Sequence, residues 1–184
     1  DGFRFPFVKM YYPMPDHHHT QMIYTDEYRP GQEIRERLHI YVAHKADRLL
    51  DEWPLVERFA KNGVLHFFCN TFFLEMGNTP CSEVIYSAIS AERDKDRAFA
   101  TNIMRNGTVE KLPLYQEGTE GIQQLMKNTR ELSRRGIPTL EMKEKDGRAV
   151  MRYVKEPSFS SHLREVVKSD RDVFLGCLDK LRDS

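Results

Sequence analysis

The chain has few cysteines, no long apolar run and no excess of charge of either sign, and each shortage excludes something. Three cysteines occur in 184 residues, Cys69, Cys81 and Cys177, and no two stand in a Cys-x-x-Cys spacing. An odd, scattered set argues against a disulfide-stapled secreted scaffold and against a dithiol redox centre. A reducing compartment, cytosol or organelle matrix, is expected. No stretch approaches the ~18 consecutive apolar residues of a membrane-crossing helix. Lys plus Arg and Asp plus Glu number 28 each, so global charge offers no attraction to nucleic acid or an anionic membrane. Arg134-Arg135 is the one weak basic pair. The chain opens on Asp1 without a signal-peptide pattern, so a removed leader or absent upstream residues is expected.

What is present suits one domain with a real core: 40% hydrophobic and 30% charged residues. Phe3, Phe5 and Phe7 alternate, which favours a strand over residues 3–12 with Pro6 at an edge or bulge. Pro13 and Pro15 then predict a loop to residue 30. Ile34, Leu38, Val42, Leu49 and Leu50 predict an amphipathic helix ending near Trp53, with Pro54 opening a short one. Val64, Leu65, Phe68, Phe72 and Met76 read as a buried helix stopped by Gly77. Thr79-Pro80 reads as the start of a further helix, with Val84, Ile85, Ala88 and Ile89 on its inner face. Asp94 caps another to Asn106, and residues 107–118 read as irregular. Ile122, Leu125, Met126 and Leu132 predict a helix capped by Gly136, followed by a hairpin over 139–154 turning at Asp146-Gly147. Two terminal helices begin near Pro157 and Asp170.

The segment Glu131-Leu132-Ser133-Arg134-Arg135-Gly136-Ile137-Pro138-Thr139-Leu140 resembles a helix ending at Gly and running into an Ile-Pro-Thr strand start. So placed, with Phe5-Pro6-Phe7 before it and the hairpin after it, the chain resembles the DsbA-like branch of the thioredoxin superfamily. That branch includes kappa-class glutathione transferases, 2-hydroxychromene-2-carboxylate isomerases and DsbA-like oxidoreductases. The resemblance implies an α/β fold: a thioredoxin-like sheet with a large all-helical insertion, its first strand-helix unit missing. Residues 1–30 would be the entering strand and loop, 31–135 the insertion, and 136–184 the closing hairpin and helices. It implies that Pro138 is cis and, with Ile137 and Thr139, faces a substrate. It also implies a nucleophile on a helix tip, which this sequence does not supply, so no catalytic residue is assigned.

The remaining candidates have plain readings beside sharper ones. Cys69 and Cys177 read as core, and Cys81, near a helix start, is the one placed for a lowered thiol pKa. His17-His18-His19 beside Asp16 reads as a polar loop, with metal binding as the alternative. Ser158, Ser160 and Ser161 read as capping residues. Trp53 and the phenylalanines at 67, 68, 72 and 73 read as core, or as a face for a ligand or another protein. The expectation is a non-catalytic thioredoxin-like subunit of a larger assembly, with a mitochondrial ribosome or its assembly intermediate in the matrix as the best single setting. Its partners are other proteins, with RNA contact possible inside the assembly and no DNA. No cofactor is expected. The alternative is a glutathione-dependent oxidoreductase, transferase or isomerase with its catalytic residue upstream.

Overall fold

The computed structural model describes residues 4–31, 34, 53–156 and 159–182. It divides into two compact units that meet in sequence at Tyr153 and Val154.

The first unit is built on one antiparallel sheet of eight strands: β1 (Phe7–Met14), β2 (Met22–Thr25), β3 (Phe73–Gly77), β4 (Val84–Ile89), β5 (Phe99–Met104), β6 (Thr108–Pro113), β7 (Met142–Lys145) and β8 (Arg148–Arg152). Their order is β3-β1-β2-β4-β5-β6-β8-β7. Helix α1 (Trp53–Lys61) and a 3₁₀ turn at Leu65–Phe68 precede β3, and α2 (Thr119–Arg134) joins β6 to β7. This overturns the thioredoxin-like reading. Four strands, β3 to β6, lie in the stretch expected to be an all-helical insertion, and β2 lies in the expected loop. Most of the helix expected from Gln32 to Trp53 falls outside the described residues.

The misreading has a physical cause. Val84, Ile85, Ala88 and Ile89 satisfy a helical period, but a strand with both faces contacted accepts the same positions. β-branched and aromatic residues, here with Tyr86 among them, favour the pleated alternative once a partner strand exists. The β5–β6 connection carries Asn106-Gly107, a hairpin signal read instead as a helix stop; Gly107 takes φ +81° there.

Register separates the sheet's two faces. Tyr12 pairs with Tyr24, Met14 with Met22, Met22 with Ala88 and Tyr86 with Ile103, so these share one face. That face holds the core: Tyr12, Met14, Met22, Tyr24, Tyr86 and Ile103 pack with Ile34, Ala60 and Leu65. Under the other half, Ile122 and Met126 of α2 pack on Ala149. The opposite face is mixed, with Ile23, Ile89, Leu112 and Val150 interspersed among polar residues. Lys9, Tyr11, Glu75, Ser87, Asn102 and Glu110 alternate with the core positions there.

Helix α2 sits close because it has glycines where it meets the β4–β5 turn. A Cβ on Gly121 would stand 2.8 Å from the Asp96 carbonyl oxygen and 2.9 Å from the Phe99 ring. Ala ordinarily improves a helix over Gly by roughly 0.5–1 kcal/mol. For Gly121→Ala the sign is expected to reverse, with a loss of about 1–2 kcal/mol from overpacking. Gly176 has open space around its Cβ direction, and Gly176→Ala is expected to follow the ordinary rule. Urea unfolding of both variants tests the contrast.

The second unit holds α3 (Phe159–Ser169) and α4 (Arg171–Arg182), which pack on each other. Asp170 Oδ1 accepts the Asp172 and Val173 N–H groups at 2.9 and 3.1 Å, capping α4.

Candidate functional site

The residues carried over from the resemblance do not assemble into a site. Ile137 and Pro138 are exposed and Thr139 half-buried, in the irregular link between α2 and β7. The cis X-Pro bond among the described residues is Met14-Pro15, so Pro138 lacks the expected cis geometry. Burial raises the Cys69 thiol pKa to about 11. Cys81 is exposed, but Glu75 beside it pushes its pKa up, the reverse of thiolate activation. His18 and His19 donate backbone N–H to Asp16 Oδ1 at 2.7 and 2.9 Å, and His17 Nδ1 meets Thr71 Oγ1 at 2.9 Å. These bonds explain the triplet as loop structure. Among the described residues no group of three or more His, Cys, Asp or Glu is arranged to hold a metal ion. Ser158 lies outside the described residues.

Two other places carry unusual chemistry. One is Lys111, in the middle of β6. It pairs with Thr101 on one side and Ala149 on the other, which puts it on the core face of the sheet. Val109, two residues before it, packs at the margin of the Tyr12–Tyr24 core, and Ala149 belongs to the α2 cluster. Lys111 therefore stands where the two packed regions adjoin. Its Nζ lies 5.1 Å from the Phe99 ring centroid. Among the described residues it has no carboxylate partner within salt-bridge distance, and burial, then the Arg93 charge, lowers its pKa. A half-buried ammonium in that condition is a poorly solvated cation that an anion would stabilise.

The second is the β3 edge. Val8, Leu74 and Met76 lie on the core face, and each is at least half exposed. Phe67, Phe68 and Phe72 precede β3 and are also more than half exposed, Phe67 at 76%. Phe68 stacks on Phe59 at 4.0 Å between centroids. Where the sequence predicts a buried helix over 64–76, the chain forms the 3₁₀ turn at Leu65–Phe68 and then strand β3.

Behind the sheet lies a charge chain. Lys9, 2% exposed, donates to the Val84 carbonyl at 2.7 Å and meets Glu27 at 3.3 Å. Glu27 takes both arms of Arg105 at 2.7 Å, and Arg105 also holds Glu83 at 2.9 Å. The Arg105 guanidinium, with Lys9, holds the Glu27 carboxyl down to about 2. Every member has a partner, so this chain reads as structural. No protein-family model matches the chain, and neither a curated protein nor a solved structure is significantly similar to it.

Proposed function

We propose that the β4–β8 half of the sheet is a non-catalytic nucleotide-binding module, with Lys111 as the cation that receives a phosphate. The observation that carries this is Lys111 itself: half-buried, on the core face, and without a carboxylate partner among the described residues. The order of parts supports it. Strand β4, a turn, β5, the lysine-bearing β6, helix α2 and the β7–β8 hairpin follow one another, in the antiparallel order β4-β5-β6-β8-β7. Protein kinases hold nucleotide phosphates with a lysine on the third strand of such a run, next to a helix. The parallel is one of layout alone, which is an analogy of fold. Two departures limit the reading to binding. The turn at residues 90–98 has no glycine to bring its backbone onto a phosphate, and α2 brings no carboxylate to Lys111. Without those parts, phosphoryl transfer is not expected.

Isothermal titration with ATP tests this. Binding is expected, weakened about tenfold or more in Lys111→Met, the scale of one charge-assisted hydrogen bond. Lys143→Met, on exposed β7, is expected to leave it unchanged. Absence of binding, or equal binding by both variants, defeats the proposal.

The β3 edge favours a second reading, a structural subunit docked into a larger assembly through its exposed phenylalanines. This keeps the subunit role expected from sequence without its thioredoxin scaffold, and a mitochondrial ribosome stays the proposed setting. Native copurification tests it: recovery of the chain free of any larger particle counts against it. The glutathione-dependent alternative depended on the thioredoxin layout and draws no support from the observed sheet.

A further inference from the structure

The sheet's two outer strands are built differently. Edge strand β7 reads Met142-Lys143-Glu144-Lys145, and its charges blunt further pairing. Edge strand β3 reads Phe73-Leu74-Glu75-Met76-Gly77, preceded by Phe72. Its one charge is already engaged: Glu75 accepts the Tyr11 hydroxyl and the Cys81 backbone N–H. Among the described residues its outer backbone edge is unpaired, and its flanking side chains are mostly apolar.

The geometry points to a second copy of this chain as the occupant, pairing β3 with β3 antiparallel across a two-fold axis. This rests on the reading of β3 as a docking edge and names its partner. Two observations favour self-pairing. The first is register. A two-fold centred on Glu75 would oppose two carboxylates, which is unfavourable. Centred on Leu74, it places Leu74 against its own copy and Phe72 against Met76 of the other chain, all on the face shared with Val8. The other face then opposes Phe73 to Glu75, without like charges. One strand thus supplies its own complementary pattern, as an isologous interface requires.

The second is exposure. Phe72, Leu74 and Met76, the residues this register sets against one another, are 50–55% exposed, and Phe73 on the other face is 53% exposed. Pairing brings these side chains together as cross-strand neighbours, the contacts that stabilise a sheet. The joined sheet would have sixteen strands and end on the charged β7 edge at both sides.

Sedimentation velocity from low to high micromolar concentration is the primary test. A wild-type dimer is expected, with Leu74→Lys monomeric because it sets two ammonium groups face to face on the axis. Glu144→Lys on the other edge is expected to stay dimeric. Hydrogen exchange on wild-type protein serves if Leu74→Lys does not fold: β3 amides should exchange faster on dilution, while β5 amides should not. A monomeric wild type, a dimer that survives in folded Leu74→Lys, or β3 exchange independent of concentration overturns the proposal. A monomer that still copurifies with a larger particle overturns self-pairing alone. A dimer that copurifies with nothing overturns the assembly reading alone.

Discussion

Tyr24→Ala is expected to lose about 4 kcal/mol of stability, within the range for deleting a large buried aromatic side chain. Tyr24 is fully buried in the middle of β2, and β2 lies between β1 and β4. Its ring stands 5.0 Å from that of Tyr86 and 6.3 Å from that of Tyr28, and it pairs in register with Tyr12. Tyr28 continues the group to Tyr153, hydroxyl to hydroxyl at 3.1 Å. Truncation therefore opens a cavity lined by rings that a strand in mid-sheet cannot collapse to fill. For a chain of this length the loss corresponds to a fall in Tm of roughly 10 °C. Tyr24→Phe keeps the packed ring, so about 1 kcal/mol is expected. Equal losses in thermal unfolding of the two would show that the hydroxyl, not the ring volume, matters.

Glu27→Gln is expected to lose about 2 kcal/mol, because it takes the carboxylate partner from a Lys9 that water barely reaches, while solvent at the 36% exposed Glu27 side chain screens part of the interaction. Arg105 loses a bidentate partner in the same change, although Glu83 still holds it. Lys9→Met is expected to be milder, about 1 kcal/mol, since it removes the desolvated charge itself. Glu27 then keeps Arg105, and the Val84 carbonyl loses one donor. The asymmetry separates a charge network held by desolvation from one that stabilises through attraction. It also sets a pH dependence. The folded pKa of Glu27, about 2, lies below its ordinary 4.5, so its contribution is complete above about 4.5 and lost as pH falls toward 2. Wild-type stability should decline through that window, and Glu27→Gln should decline less. Chemical unfolding at a series of acid pH values measures both slopes.

Local chemistry alone determined part of this protein. Ile122, Leu125 and Met126 repeat at the helical period, and α2 forms there. Asp146-Gly147 calls for positive φ at both positions, and the β7–β8 hairpin turns on φ values of 52° and 74°. The two terminal helices likewise follow from local period and capping, whereas β1 runs over Phe7–Met14, later than the aromatic alternation places it, and takes in Pro13 and Met14 from the expected loop. β3 to β6 do not, because Val84-Ile85 with Ala88-Ile89 and the 64–76 apolar positions fit either period until a neighbouring strand claims the backbone hydrogen bonds. Lys111 shows the same limit at the site: in Val109-Glu110-Lys111 it is indistinguishable from a solvated lysine. Only pairing with Thr101 and Ala149 turns it to the core face. The β3 edge was half legible, since its phenylalanines stood out as a face for a partner. That they border a strand edge unpaired among the described residues was decided by pairing between residues 62 or more positions apart, such as Lys9 with Glu75, which no local pattern encodes.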